Sequence, residues 1–358
     1  MSDRVWVIAE AGVNHNGSLD RALEMVDAAA DAGADVVKFQ TFKADKLATA
    51  AAKKAEYQAT NTGQSGPQLE MLRALELRTE HHSALIERCK MRDIAFMSTA
   101  FDSESLAFLA TLDVPAIKIP SGDITCANLL LQAARLRRRM IVSTGMATLG
   151  EIEQALGVIA FGLTTDREPI RRSDFEAAFR SADGQAALKK TVTLLHCVTQ
   201  YPAPAHAVNL RAMDTMVAAF GLPVGYSDHT LGIEVSLAAV ARGSRMIEKH
   251  FTLDRNLSGP DHLASLEPSE LKGMICAIRN IERALGSPAK IPVAEELGNL
   301  DVARRSLVAT RIVKKGEVFT PDMVASKRPG IGLSPMELWS LLGSQARRDF
   351  APDELIER

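Results

Sequence analysis

The sequence predicts an α/β fold, in which a closed barrel of parallel strands precedes a small β-rich module. Short β-branched or apolar runs recur along the chain, stretches with helical periodicity follow them, and the runs end at regular intervals. With strand ends taken at 10, 40, 99, 121, 144, 199, 227 and 250, five of the seven gaps are 22 to 30 residues. Such spacing is typical of one βα unit. Eight strands of this kind favour a TIM (β/α)8 barrel, and an open doubly wound sheet is the alternative.

The predicted strands alternate with predicted helices. The strands cover 5–10, 35–40, 94–99, 116–121, 140–144, 191–197, 223–227 and 246–250. Helical spacing of apolar residues is clear over 19–32, 79–92, 149–161 and 233–241, and a further helix is expected near 269–285. The two long gaps are insertions. The first, 43–78, contains turn-forming residues at 63–67, which predict a lid or a surface loop. The sequence of the second, 163–190, does not indicate a role for that segment.

The last part of the chain has a different pattern. We predict a catalytic barrel over 1–285, a linker over 286–299 that contains Pro288 and Pro292, and a domain of short strands and turns over 300–358. A module of about 60 residues without disulfides is marginally stable alone. We therefore expect it to dock on another surface.

The charge balance excludes partners that are held by a large electrostatic field. Lys and Arg number 42 and Asp and Glu 44, which gives a net charge of -2. The chain thus offers no overall field for nucleic acid or for an anionic membrane. Its four cysteines are far apart and indicate free thiols. Because neither a signal-peptide pattern nor an apolar run of about 18 residues is visible, a cytoplasmic location is expected.

Polar residues at the predicted strand ends are candidates for chemistry, because a TIM barrel carries its active site there. His229 and His250 are 21 residues apart, about one βα repeat, so both imidazoles are expected at the mouth of neighbouring strands. With Asp261 nearby, they predict a site for a divalent ion whose shell is completed by waters and substrate oxygens. Mn²⁺ or Mg²⁺ fits this donor set better than structural zinc. The alternative is that each histidine makes structural hydrogen bonds.

Two lysines, Lys38 and Lys118, occur within otherwise apolar predicted strands, where a cation is costly unless it meets an anion. Small hydroxyl side chains end the neighbouring strands, namely Thr99, Ser121, Ser143 and Ser227. Together these residues predict a cradle for phosphate and carboxylate oxygens. Glu10, at the end of the first strand, is a candidate general acid or base. The alternatives are a salt bridge between Glu10 and Lys38 and, for the hydroxyls, core packing.

The chain resembles the sialic acid synthase family over nearly its whole length. The similarity rests on an ordered set of segments, 8–17, 37–41, 118–122, 143–146, 195–197, 201–202, 227–230, 248–252 and 259–261. The tail segments 305–309 and 327–330 are similar to the family's C-terminal antifreeze-like (SAF) domain. The resemblance implies a transferase that condenses phosphoenolpyruvate with an N-acylated amino sugar to a nine-carbon nonulosonic acid and releases phosphate.

The resemblance also implies roles for individual residues. His229 and His250 would hold Mn²⁺ with Asp261 close by, and Glu10 would transfer protons. The phosphate and carboxylate would bind to Lys38, Thr99, Lys118, Ser121, Ser143 and Ser227, and the sugar would lie nearer Gln40, Asp123 and Tyr201. Arg328 would reach from the tail domain of one subunit into the barrel of its partner, which implies a domain-swapped homodimer.

Two departures from the family pattern lie on the sugar side. Asp123 stands where sialic acid synthases commonly carry Glu, and Thr199 stands where they carry Asn. Our main interpretation is an N-acetylneuraminate synthase-type enzyme acting on N-acetylmannosamine or a relative. The alternative, to which residues 199–204 are closer, is an N,N'-diacetyllegionaminate synthase acting on a 2,4-diacetamido-trideoxyhexose. A non-catalytic sugar-binding relative and a phosphoenolpyruvate aldol synthase that uses a sugar phosphate are the remaining alternatives.

Overall fold

The computed structural model describes residues 4–63 and 66–357. The chain divides into two compact units, Met1–Gly286 and Ser287–Arg358. In the described part of the first unit, eight parallel strands close into a barrel in chain order. They are β1 Trp6–Gly12, β2 Val36–Thr41, β3 Ala95–Ala100, β4 Ile117–Ile119, β5 Met140–Ser143, β6 Val192–Cys197, β7 Val224–Asp228 and β8 Met246–His250. The predicted TIM barrel is confirmed, and each strand lies within two residues of its predicted bounds.

Helices connect the strands and cover the outside of the barrel. They are α1 Leu19–Ala32, α2 Ala44–Leu47, α3 Glu56–Thr62, α4 Gln68–Leu75, α5 His81–Met91, α6 Ser103–Ala110, α7 Ala127–Arg135, α8 Leu149–Thr164, α9 Arg172–Arg180, α10 Ala182–Thr191, α11 Ala212–Phe220, α12 Glu234–Ala241 and α13 Pro268–Leu285. Capping sets the ends of α1, because the Ser18 hydroxyl accepts from the Arg21 amide and Gly33 ends the helix at a φ of 85°. Across 4–63 and 66–357, no helix is both long and apolar enough to cross a membrane.

The interior of the barrel is filled in layers. The lower layer is apolar and contains Ile8, Val36, Met97, Ala116, Ile141, Leu195 and Met246. Two residues further along a strand, the side chain returns to the same face. The positions reached in this way are Glu10, Lys38, Thr99, Lys118, Ser143, Cys197 and Glu248. A polar layer therefore lies above the apolar layer, at the carboxyl end of the barrel.

The first insertion is a folded part of the barrel rim. Its described residues include three short helices, α2, α3 and α4, where the sequence predicts a lid or a surface loop. Lys43 Nζ lies 3.1 Å from Glu76 Oε1 and joins the two ends of the segment. Asn61 Nδ2 donates to the Pro260 carbonyl at 2.6 Å and ties α3 to the loop after β8. Residues 64 and 65 of the predicted turn lie outside the described residues.

The second insertion is helical as well. Its helices α9 and α10 pack beside α8, where the rings of Phe175 and Phe161 meet edge to face with centroids 5.4 Å apart. Gly157 permits this approach, because a Cβ there would lie 2.9 Å from the Phe175 carbonyl oxygen. The segment thus thickens the helical layer on the outside of the barrel.

The second unit has its own small core. Helix α14 Ala294–Ala303 precedes the antiparallel pair β9 Ser306–Ala309 and β10 Val324–Lys327, and α15 Leu338–Leu341 follows. Its core includes Leu307, Val313, Phe319 and Phe350. The segment for which the sequence predicts a linker, 286–299, is partly helical, because the Ala, Glu and Leu residues after Pro292 favour a helix over an extended chain.

Candidate active site

A cavity of about 480 Å³ opens at the carboxyl end of the barrel. Parallel strands in a closed barrel present all their carboxyl ends on one side, so residues distant in sequence meet there. The proposed site residues of the barrel all line this cavity, namely Glu10, Lys38, Gln40, Thr99, Lys118, Ser121, Asp123, Ser143, Tyr201, Ser227, His229, His250 and Asp261.

Four buried charges form the floor of the cavity. Lys38 Nζ lies 2.7 Å from Glu10 Oε2 and 3.5 Å from Glu248 Oε2. Lys118 Nζ lies 3.4 Å from the other oxygen of Glu248. All four side chains are at most 5% exposed. The salt bridge between Glu10 and Lys38 is therefore present, but it belongs to a network of two cations and two carboxyl groups, which we call the charged layer.

Hydroxyl groups surround the charged layer. Thr99 accepts a hydrogen bond from Lys38 at 3.0 Å, and Ser143 accepts one from Lys118 at 2.8 Å. Ser227 donates to Glu248 Oε1 at 2.8 Å. Each of these groups can exchange its partner for an oxygen of a bound anion, because a hydroxyl can both donate and accept.

The buried charges shift one another's pKa values. Burial, together with the charge of Glu248, raises the pKa of Glu10 to about 7 against the opposing effect of Lys38. Burial alone would also raise the pKa of Glu248, but the Lys118 and Lys38 ammonium groups hold it below its usual range. Burial lowers the pKa of Lys118. At neutral pH, Glu248 therefore stays ionised, and Glu10 can gain or lose a proton.

His229 and His250 face each other at the cavity wall, with ring centroids 5.5 Å apart. His229 Nδ1 donates to the Val198 carbonyl at 2.6 Å, which leaves Nε2 as the nitrogen able to bind a metal. His250 Nδ1 is buried, lacks a hydrogen-bond partner in the described residues, and lies 3.9 Å from Asp261 Oδ2. Burial lowers the pKa of both imidazoles, that of His229 to about 4, and raises the pKa of Asp261 to about 7.

These donors fit a divalent cation. Two neutral imidazoles and a buried carboxyl group, Asp261, that pairs with no Lys or Arg among the described residues are the groups that a metal ion would satisfy. Within the part of the chain that the structure describes, no three His, Cys, Asp or Glu side chains form a ready-made metal site. A cation held by His229 and His250 would therefore also need oxygen ligands from water or substrate.

Beside the two histidines, the lining of the cavity combines aromatic rings with polar groups. The Tyr201 ring stacks on His229 with centroids 4.1 Å apart, and Tyr57 of α3 stacks on Tyr201 at 5.0 Å. Asp123 Oδ2 and Thr199 Oγ1 are buried and have no hydrogen-bond partner among the described residues. Burial raises the pKa of Asp123 to about 6. The two residues that depart from the sialic acid synthase pattern thus offer unsatisfied polar atoms to a ligand.

Comparison with known protein families identifies both units. The model of the NeuB family matches residues 25–290, and the model of the SAF domain matches residues 304–357. The chain belongs to the NeuB family. This confirms the resemblance to the sialic acid synthases that the ordered segments of the sequence indicate.

Relatives of this NeuB-family chain are similar over nearly their whole length. The N,N'-diacetyllegionaminic acid synthase of Campylobacter jejuni is 47% identical over 353 residues, which cover 99% of each chain. The enzyme of the same name from Legionella pneumophila is 44% identical, with 95% of this chain and 90% of that protein covered. The crystal structure of the N-acetylneuraminic acid synthetase of Leptospira borgpetersenii, 34% identical, gives a TM-score of 0.66 and covers 83% of this chain and 90% of that chain.

Sequence reasoning missed two residues of this NeuB-family site. Glu248, which joins Lys38 to Lys118, stands two residues before His250 on β8. The strand period alone could have identified it, because Glu248 and His250 share the inward face. Tyr57 lies in the first insertion, whose sequence carries no comparable periodic indication.

Arg328 belongs to the second unit. It follows β10, its side chain is exposed, and its Nε donates to the Ala303 carbonyl at 3.0 Å within the same unit. The cavity described above is built from residues of the first unit. A role for Arg328 in catalysis therefore remains a prediction.

Proposed function

We propose that this protein joins phosphoenolpyruvate to a 2,4-diacetamido-trideoxyhexose to form N,N'-diacetyllegionaminic acid and phosphate. The reaction class follows from the family, whose members related to this chain are phosphoenolpyruvate-dependent nonulosonic acid synthases, a kind of transferase. The observation that carries the choice of sugar is the 47% identity over the whole chain to an enzyme of that name. This identity favours the N,N'-diacetyllegionaminate synthase alternative over our main interpretation of the sequence, in which N-acetylmannosamine is the acceptor.

The charged layer suits phosphoenolpyruvate, which carries a phosphate and a carboxylate. Lys38 and Lys118 present two buried ammonium groups. Thr99, Ser143 and Ser227 supply hydroxyls that contact the charged layer, and Ser121 lines the same cavity. When Glu10 is protonated, the layer holds two cations against the single carboxylate of Glu248. An anion then binds to a site of net positive charge from which water is largely excluded, where charge-assisted hydrogen bonds are strong.

Glu10 is the proposed general acid and base. A bond forms between C3 of phosphoenolpyruvate and the aldehyde carbon of the open-chain sugar, and the aldehyde oxygen gains a proton. Water adds at C2 and loses a proton. The bond between C2 and the phosphate oxygen then breaks as the new C2 hydroxyl becomes a carbonyl, and the hydroxyl proton passes to the departing phosphate. With a pKa of about 7, the Glu10 carboxyl can supply the first proton and recover the second.

We include a divalent ion in the proposal, Mn²⁺ or alternatively Mg²⁺, held by His229 and His250 with Asp261 beside it. The neutral imidazoles and the unpartnered Nδ1 of His250 support this assignment. A bound divalent ion would supply Lewis acidity toward the carbonyl oxygen of the sugar. The chain itself keeps both rings neutral and fixes one of them through the Val198 carbonyl.

We further propose a domain-swapped homodimer in which Arg328 from one subunit completes the sugar side of the partner's site. In the sequence after Arg328, the second unit exposes the large apolar side chains of Ile331, Met336 and Trp339, at 64%, 82% and 77%. Large apolar side chains that are exposed together on one surface are typical of an interaction site. All four cysteines of the chain are free, which supports a cytoplasmic location.

Phosphate release and mass detection of the nine-carbon product test the proposed function. We expect turnover with phosphoenolpyruvate and the diacetamido sugar, and none when either substrate is omitted. Sugar binding without phosphate release would instead support a non-catalytic relative. Phosphate release from phosphoenolpyruvate only when the acceptor is a sugar phosphate would support the aldol synthase alternative.

Removal of divalent ions should abolish this turnover, and added Mn²⁺ should restore it. His229→Ala and His250→Ala should each weaken Mn²⁺ binding, because each removes one imidazole ligand. Titration followed by electron paramagnetic resonance measures the affinity. His206→Ala, which changes an exposed histidine outside the cavity, is the matched control. Full activity after complete metal removal would contradict the metal assignment.

A further inference from the structure

The cavity at the barrel mouth has two unlike halves. Its floor is the charged layer. On the side of the first insertion, an apolar patch lines the cavity beside the polar residues Tyr57, Gln58 and Gln68. We call this apolar patch the insertion wall, and it consists of Val13, Leu47, Met71, Leu72, Leu75 and Phe101. These residues pack together with Phe42 in a cluster separate from the main core of the barrel. Leu47, Met71, Leu72 and Phe101 are only partly buried and so present apolar surface to the cavity.

Contacts hold the insertion wall in place without a ligand. Arg73 of α4 pairs with Asp45 of α2 at 2.6 Å. On the barrel side, Gly17 lets the insertion approach closely, because a Cβ there would lie 2.8 Å from the Ala74 carbonyl oxygen. Gly17 also has a φ of 74°, which other residues rarely adopt. The wall is therefore a preformed surface, and a ligand need not order it.

An apolar wall is poorly matched to a fully hydroxylated sugar. Compared with N-acetylmannosamine, a 2,4-diacetamido-2,4,6-trideoxyhexose has a methyl group at C6 in place of a hydroxymethyl group. It also has an acetamido group at C4 in place of a hydroxyl. A hydroxyl group that faced the insertion wall would lose its hydrogen bonds to water and gain none. A methyl group in the same place would be removed from water, which is favourable.

We propose that the insertion wall is the specificity element for the acceptor and receives its C6 methyl group and the methyl of its C4 acetamido group. This inference rests on the proposed function and extends it from the reaction to the selection of the sugar. The stacking of Tyr57 on Tyr201 places the same insertion against the sugar side of the site. The charged layer, on the other half of the cavity, is left to phosphoenolpyruvate.

Polar substitutions of similar size in the wall test the inference. Met71→Gln and Leu72→Asn keep the approximate volume and give the wall hydrogen-bonding groups. Met91→Gln is the matched control, because Met91 is 68% exposed on α5 and does not line the cavity. The measurement is kcat/KM for the diacetamido sugar and for N-acetylmannosamine, with the KM for phosphoenolpyruvate and the thermal unfolding of each variant recorded alongside.

We expect the preference for the diacetamido sugar to fall by about tenfold or more in each wall variant, since a buried methyl or methylene group discriminates by about 10- to 200-fold. The KM for phosphoenolpyruvate should not change, and Met91→Gln should behave as the unaltered enzyme. A folded wall variant with an unchanged preference would overturn the inference while leaving the proposed function intact. If the unaltered enzyme used N-acetylmannosamine and not the diacetamido sugar, both the proposed function and the occupant assigned to the wall would be wrong.

Discussion

Burial gives the charged side chains of the site their chemistry. In water each carboxylate would ionise independently, but in the barrel Lys38 lies between Glu10 and Glu248, and Lys118 adds a second cation on the Glu248 side. Glu248 therefore holds the stable negative charge, and the pKa of Glu10 stays near 7. A single substitution in this layer should change the ionisation of its neighbours as well as remove one contact.

Glu10→Gln should lower kcat by about 10²- to 10⁴-fold, the usual contribution of a positioned general acid or base. Binding of phosphoenolpyruvate should be retained, because the amide keeps the size of the side chain and removes a negative charge. Steady-state kinetics and a calorimetric titration with phosphoenolpyruvate separate the two effects. Glu24→Gln, on the exposed face of α1, is the control. A normal kcat in Glu10→Gln would rule out the acid/base role.

A second buried pair lies outside the cavity, next to the two histidines in sequence. Lys249 Nζ is 3.0 Å from Asp228 Oδ2, and neither side chain is exposed. Lys249 also donates to the Thr230 carbonyl, and Ser236 donates to Asp228 at 2.6 Å. The pair joins β7 to β8 directly behind His229 and His250. It therefore fixes the two strand ends that carry the proposed metal ligands.

Lys249→Met should destabilise the barrel by about 3–5 kcal/mol, because Asp228 would remain buried without its cation. Urea unfolding followed by circular dichroism measures the loss. The double variant Lys249→Met/Asp228→Asn should recover part of it, since no unpaired charge is then left. Lys272→Met, an exposed lysine on α13, should have little effect. A loss for Lys249→Met no larger than this control would show that the pair is not structurally important.

At the scale of elements, each barrel strand serves both the core and the site. On seven of the eight strands, outward residues pack under the helices, one inward residue belongs to the apolar layer, and the inward residue two positions later belongs to the polar layer. The loops after the strands then decide how closely the layers can approach. After β5, Gly145 makes room for Thr199, Ser121 and Cys197, because a side chain there would meet all three.

Gly145→Ala should disturb the sugar side of the site. The new Cβ would lie 2.8 Å from Ser121 Oγ and 2.9 Å from Cys197 Sγ, and closer still to Thr199 Oγ1. We expect a cost of about 1–3 kcal/mol from overpacking and a raised KM for the sugar, through Thr199, and for phosphoenolpyruvate, through Ser121. Gly273→Ala is the control, because this α13 position is exposed and open, and it should stabilise the protein by about 0.5–1 kcal/mol. Thermal unfolding and sugar kinetics distinguish the two outcomes.

At the scale of the whole molecule, catalytic and accessory parts occupy different units. The first unit contains the cavity and the proposed metal ligands, and the second contains Arg328 and several exposed apolar side chains. The second unit has a small hydrophobic core, and a unit of this size is marginally stable alone. Its value to the enzyme, in our proposal, is the group that it delivers to a partner subunit.

Arg328→Ala should leave the dimer intact and raise the KM for the sugar by about tenfold or more, the usual effect of losing a charge-assisted hydrogen bond to a ligand. Light scattering after size-exclusion chromatography gives the oligomeric state, and sugar kinetics give the KM. Arg347→Ala, an exposed arginine of the same unit, is the control. Full activity in a chain truncated after residue 286 would contradict the swapped-domain proposal.

Much of this architecture could be predicted from the sequence because it rests on local periodicity. The alternation of apolar runs and helical stretches predicts the barrel, and polar residues at the strand ends predict the contents of the cavity. The two insertions could not be predicted in this way. Their helices are short, and they are held by contacts such as Asn61 with Pro260 that depend on the folded barrel.

The sequence by itself determined the barrel, the family and which charged residues lie at the carboxyl end of the barrel. Strand period and motif order are properties of the chain alone. Only the tertiary structure decided how those charges are shared. Glu248 stays ionised and Glu10 titrates because, in the closed barrel, Glu248 pairs with both Lys38 and Lys118, whereas Glu10 pairs with Lys38. Likewise, the insertion wall exists only where α2 and α4 pack beside β1 and β3, since apolar residues distant in sequence form a surface only after folding.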